Sequence, residues 1–139
     1  FVAKIMKQGG CIFVDRKNKD NAIKSINEGL LKLPPGYSLL IFPEGTRSKN
    51  FTLQPFKKGP VHIAMGTKLP IVPIGQTGAN KIGQSKTLLL NPGHICVHAG
   101  PPIETSSWKE SDLLDHLSTL ESAMKEQIKK AKELNSTSL

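Results

Sequence analysis

Short apolar runs closed by glycine or proline flank a stretch of helical periodicity in the first half of this 139-residue sequence, and that pattern most limits its fold. Cys11 to Val14 lies between Gly9-Gly10 and the charges of Asp15-Arg16-Lys17, and Ser38 to Phe42 ends at Pro43. Such runs, stopped by turn chemistry, read as buried strands. Between them Ile23, Ile26, Leu30 and Leu33 recur at helical spacing, with Lys24, Glu28 and Lys32 outward, until Pro34-Pro35-Gly36 breaks the pattern. Strand, helix, strand in that order predicts an α/β domain whose mixed, partly parallel sheet is flanked by helices.

The rest of the chain adds further elements. Residues 2–8 predict the end of a helix halted at Gly9-Gly10. Residues 44–56 show no periodicity and read as a loop, and Pro60 to Gly66 as a short helix with Pro60 in its first turn. Leu69 to Ile74 reads as an edge or bulged strand, because Pro70 and Pro73 cannot donate to a ladder. Thr87 to Leu90 and His94 to His98 predict a strand pair joined through Asn91-Pro92-Gly93. Leu113, Leu117, Leu120, Met124, Ile128 and Ala131 form one apolar stripe, so a long helix is expected from about Ser111 to Leu134, with Ser111 in its cap region. Residues 1–134 are therefore assigned to one domain, and residues 135–139 to a polar tail. The sequence opens on Phe1, with its first methionine at Met6, and reads as a domain whose N-terminal part is missing. No apolar run approaches the ~18–20 residues of a membrane span.

Charge narrows the partner. The chain carries +8 overall, and residues 1–58 hold 11 basic and 4 acidic side chains, which is +7 of it. A basic half points to phosphate, an anionic lipid surface or nucleic acid. Nucleic acid is disfavoured, since the seven aromatics belong to no recognisable binding motif. Cys11 and Cys96 each sit in an apolar run and read as unpaired small hydrophobes of a reducing compartment, which favours the cytoplasmic side.

Phe42-Pro43-Glu44-Gly45-Thr46-Arg47-Ser48 is the strongest local feature. It follows a strand, where α/β folds bind ligands, and gathers hydroxyl, guanidinium and backbone donors on one turn. Arg47 is suited to bidentate phosphate recognition, and Lys57-Lys58-Gly59 leads into a helix N-terminus that adds positive potential. A surface loop with one arginine and a capping hydroxyl would show the same residues. Asp15-Arg16-Lys17 is a second charge cluster at a strand end, which by itself reads as a solvated loop.

These residues carry a resemblance. Gly10 to Arg16, Phe42 to Ser48, Pro55 to Gly59 and Ile71 to Ile74 resemble, in order, sequence blocks of the glycerolipid acyltransferases. Within that superfamily the chain is most similar to the 1-acylglycerol-3-phosphate O-acyltransferases. The resemblance implies a glycerol-3-phosphate acyltransferase-like fold and acyl transfer from acyl-CoA or acyl-carrier protein to a lysophospholipid hydroxyl. It implies no cofactor or metal, and association with the cytoplasmic face of a membrane. Arg16 and Glu44, Gly45, Thr46, Arg47 and Ser48 would hold the acceptor, with Arg47 the main phosphate ligand. Gly10, Asp15, Lys57 and Lys58 would support them, and Pro73 would shape the acyl-donor side. Lys4, in Phe1-Val2-Ala3-Lys4, is a weaker candidate for phosphate contact.

One block of the resemblance is missing. Family members place a His, four residues and an Asp ahead of the Gly10 block, as general base and its orienting group. Here the positions five after each histidine are Thr67, Ala99, Ile103 and Glu121. His116 with Glu121 comes nearest but falls on the long helix and reads as a helix-surface histidine. The chain by itself is therefore expected to be nearly inactive, and the alternative is a remnant that binds anionic lipid or phosphate. Three further patterns are set aside. Gly78 to Ser85 has P-loop glycine spacing but Gln84 in place of the lysine. His94, Cys96 and His98 crowd one strand face too closely to converge on a metal. Ser48 lacks the nucleophile elbow.

Overall fold

The computed structural model describes residues 25–26, 28–30, 34, 36–46, 48, 52–83 and 90–137. The chain divides into two compact units, Phe1–Ile41 and Phe42–Leu139. In the first, residues 25–26 and 28–30 are helical, inside the predicted helix, and Tyr37 N–H donates to Pro34 O at 3.2 Å in the turn that follows. The strands and helices predicted before residue 25 lie outside the described residues.

Residues 38–42 are not the buried strand expected from their composition. They carry no ladder, and Leu40 and Phe42 are 70% and 69% exposed. An apolar run becomes a buried strand only where a neighbour takes its backbone hydrogen bonds. Among the described residues none does.

Among its described residues the second unit has three helices, a two-stranded sheet and a 3-10 turn. Helix α1 spans Gly59–Thr67 and starts as predicted, with proline in its first turn, where a missing N–H costs nothing. Lys68 ends it in the left-handed region (φ 57°), its N–H returning to Ala64 O at 2.8 Å and its Nζ reaching Trp108 O at 3.0 Å. Strand β1 is Ile74–Thr77, helix α2 is the single turn Ala79–Ile82, and β2 is Cys96–Ala99. A 3-10 turn at Glu110–Asp112 leads into the long helix α3, Leu113–Thr137. Ser111 does not cap α3, since its hydroxyl donates to Asp112 Oδ1 at 2.8 Å. The helix also runs beyond Leu134, so residues 135–137 of the expected tail are helical.

The described sheet is antiparallel, with Ile74 opposite Ala99 and Thr77 opposite Cys96. The ladder of β2 is to β1, and Leu90 bridges Gly83; residues 87–89 of the strand expected to pair with it through Asn91-Pro92-Gly93 lie outside the described residues. The parallel pairing expected of the sheet is not seen among the described residues. The prolines explain why the strand starts at Ile74 and not Leu69. Pro73 can offer only its carbonyl, which accepts from Gly100 N at 2.9 Å, and Ile71 makes a single isolated bridge to Ile103.

The core lies between α1, α3 and the segment before α3. Phe56, Val61, Ala64, Trp108, Leu113 and Leu120 are buried together, with Leu117 and Met124 packed against them. Each of the larger side chains, such as Phe56, Val61, Leu113 and Leu120, contributes roughly 1.5–3 kcal/mol on leaving water. Thr105 is fully buried, its hydroxyl donating to Leu69 O at 2.8 Å, which closes this segment onto the end of α1. The apolar stripe of α3 is as predicted, with one addition. Gln127 is 1% exposed, on the same face, and its Oε1 meets His98 Nδ1 at 2.8 Å. A buried amide needs such a partner. Gly75 makes that contact sterically possible, because it sits directly opposite His98 and α3 passes against its bare Cα.

On the outer face of α3, Lys130 Nζ lies 2.8 Å from Glu126 Oε1, and this hydrogen bond holds the Glu126 carboxyl below its ordinary value. A depressed carboxyl contributes stability above its unfolded-state value and loses it as pH falls through the folded one. Lys130→Ala is expected to move the Glu126 titration up toward the usual carboxylate range, read from its side-chain carbonyl shift by NMR.

Candidate functional site

The sequence block that begins at Phe42 opens on a turn, Phe42 to Gly45, and its backbone is tied a second time farther on. Gly45 N–H donates to Phe42 O at 3.1 Å, with Pro43 in the position whose φ the ring pre-sets. Gly45 has φ +66°, a conformation that side chains disfavour, which explains a glycine at this point of the loop. Lys57 N–H then returns to Pro43 O at 2.8 Å, so the segment from Pro43 to Lys57 is a loop with tied ends.

Inside that loop two predicted site residues have definite partners. Glu44 Oε2 accepts from Gln54 N–H at 2.7 Å, a charge-assisted bond that orients the carboxylate. Ser48 Oγ accepts from Thr52 N–H at 3.1 Å and, more weakly, from Gln54 Nε2 at 3.4 Å. Gln54 thus touches both ends of the segment 44–48. Thr46 is exposed, and Arg47 lies outside the described residues, as do Gly10, Asp15, Arg16 and Lys4.

Lys57 and Lys58 are exposed where the loop enters α1. No acidic residue occupies the first turn of α1 and no side chain caps it, so two ammonium groups and a helix N-terminus share one sign of potential beside the loop. That arrangement can attract and hold a phosphate monoester. Pro73, assigned to the donor side, is buried and takes part in the backbone contact to Gly100. Val72 beside it is half exposed.

The loop is fixed from outside as well. Phe56 is buried, and its N–H donates to Glu121 Oε1 on α3 at 3.2 Å. The sequence reading missed Gln54, Thr52 and Glu121. Gln54 left one clue, being the polar residue in a Leu-Gln-Pro-Phe stretch whose neighbours Leu53 and Phe56 go to the core.

Two other constellations are now placed. Cys96 and His98 share the face of β2 toward α3, with Cys96 Sγ donating to Asn135 Oδ1 at 3.4 Å and His98 bonded to Gln127. His94 lies outside the strand and is exposed. Among the described residues no group of His, Cys, Asp and Glu could hold a metal ion. His116 is more than a surface histidine. It stacks on Trp108 at 4.3 Å between ring centroids, and its Nε2 accepts from Lys109 N–H at 3.3 Å. No helix among the described residues is long and apolar enough to cross a membrane.

A family model described as acyltransferase matches residues 1–77, which include the whole Phe42 to Lys58 segment. A 1-acyl-sn-glycerol-3-phosphate acyltransferase of Cocos nucifera is 45% identical over 101 residues, 72% of this chain and 33% of that protein. One from Limnanthes douglasii is 40% identical over 107 residues (76% and 38%), and one from Saccharomyces cerevisiae 36% over 110 (77% and 36%). The chain spans about a third of the length of these curated relatives. No solved structure matches it.

Proposed function

The chain belongs to the acyltransferase family, and from that premise we propose that it is part of an enzyme that acylates the free hydroxyl of lysophosphatidate. The acyl group comes from a thioester of coenzyme A or of acyl-carrier protein. The acceptor oxygen attacks the thioester carbonyl carbon, a C–O bond forms, the C–S bond breaks, and the thiol leaves. The hydroxyl proton passes to a general base as the oxygen attacks. The acceptor's phosphate is held by Arg47, with Lys57 and Lys58 supplying positive potential. The acceptor and donor lie at a membrane surface, where the basic half of the chain favours an anionic leaflet.

One observation carries this reading. The segment 44–48, inside the part matched by the family, is built as a tied loop whose Glu44 and Ser48 are held in place by Gln54. Orientation of this kind is what a phosphate-binding loop needs before Arg47 can act at a fixed point.

The test is binding of lysophosphatidate, presented in phosphatidylcholine vesicles, to the wild-type chain and to Arg47→Ala. Losing a charge-assisted phosphate contact is expected to weaken binding by about tenfold or more. Equal binding by Arg47→Ala would overturn the assignment. A second reading is favoured by the histidine spacing: with no Asp five residues after any His, the chain binds the anionic lipid without performing transfer. It predicts the same binding result and no acyl transfer even when a His-x4-Asp polypeptide is supplied.

A further inference from the structure

We infer that Glu121 of α3 is a positioning residue for the acceptor loop, an inference that rests on the reading of residues 44–48 as the phosphate site. Glu121 lies well beyond residue 77, where the family match ends, and 65 positions along the chain from the residue it holds. Its Oε1 takes the Phe56 N–H, and that bond is one of three by which segment 54–57 is clamped. Gln54 N–H goes to Glu44, Phe56 N–H to Glu121 and Lys57 N–H to Pro43 O. The segment therefore runs as a strap between the Phe42 to Ser48 turn on one side and α3 on the other, with a carboxylate on each side. Remove the outer carboxylate and the strap loses its hydrogen bond to α3 and keeps apolar packing through Phe56 and Leu53, while Gln54 and Lys57 must still orient Glu44 and Pro43.

Chemistry favours this role over that of a surface ion pair. The Glu121 side chain is 29% exposed, and its other partner, Lys125 Nζ, is 4.0 Å away and 66% exposed. An exposed pair at that distance contributes little. A carboxylate receiving a backbone N–H in a partly buried site contributes more, because its loss leaves that N–H without a partner near the core. α3 thus sets the loop as well as the core.

The experiment compares Glu121→Ala, Glu121→Gln and Lys125→Ala in the full 139-residue chain. It reads lysophosphatidate binding in phosphatidylcholine vesicles and amide hydrogen exchange at Phe56. Glu121→Ala is expected to weaken binding by about tenfold and to speed exchange at Phe56. Glu121→Gln keeps an acceptor oxygen in place and restores most of the affinity, and Lys125→Ala leaves both readouts unchanged. In the wild-type chain the ligand is expected to slow Phe56 exchange, since coupling between anchor and site is reciprocal. A folded Glu121→Ala that binds as wild type while Arg47→Ala does not would overturn the inference and leave the phosphate site standing. Ligand binding that leaves Phe56 exchange unchanged in the wild-type chain would overturn it too, without relying on any variant to fold. If Arg47→Ala also binds as wild type, the site reading itself fails, and the role of Glu121 with it.

Discussion

Gly75→Ala is expected to destabilise the Phe42–Leu139 unit by about 3 kcal/mol or more, lowering its thermal midpoint by on the order of 10–20 °C. A methyl group at Gly75 would overlap the Gln127 carbonyl carbon and the Ile128 nitrogen, which are backbone atoms of α3 and cannot rotate aside. Relief requires the helix to move off the sheet. That motion would pull Gln127 from His98 and Asn135 from Cys96, stranding an amide that is now 1% exposed. Gly66→Ala is the control. It lies in α1 with nothing within 4 Å of an added methyl, and the usual helix preference for alanine predicts a gain of roughly 0.5–1 kcal/mol. Thermal unfolding followed by circular dichroism separates the two. An unchanged midpoint for Gly75→Ala would mean that α3 does not rest on β1 at backbone distance.

The same contact shows what could be read in the sequence and what could not. α3 was legible because Leu113, Leu117, Leu120, Met124 and Ala131 repeat at helical spacing, and α1 because proline marks its start. Gln127 was not legible, since its burial depends on a histidine from a strand 29 positions away and on a glycine across from that histidine. The register of β1 on β2 was not legible for a related reason: it sets Gly75 opposite His98 beneath α3, a placement that no local signal marks.

The candidate site divides in the same way. Its side chains were visible as a motif, because Glu, Gly, Thr, Arg and Ser in sequence after a proline have few structural uses together. Its supports were not visible. Phe56 and Lys57 act through backbone N–H groups, which every residue but proline carries, and Gln54 holds Glu44 the same way, so residue type announces little of the support.

Acyl transfer from acyl-CoA to lysophosphatidate by the 139 residues alone is expected to run ~10²–10⁴ below that of a polypeptide with a His-x4-Asp block ahead of Gly10, the usual size of a general-base contribution. The acceptor hydroxyl must lose its proton as it attacks, and this chain's histidines are engaged elsewhere or exposed. His98 gives Nδ1 to Gln127, His116 gives Nε2 to Lys109 N–H while stacked on Trp108, and His94 is exposed beyond β2. His62 faces a carboxylate, with Nδ1 3.4 Å from Glu110 Oε2. That geometry has the form of a base with its orienting group, although Glu110 is 70% exposed and water competes for it. The two sources of the base are therefore separable by one comparison. Full turnover from residues 1–139 that is lost in His62→Ala would place proton transfer on α1 and sink the requirement for an upstream His-x4-Asp. Turnover ~10²–10⁴ below that of a polypeptide carrying a His-x4-Asp block, and unaffected by His62→Ala, is the expected result.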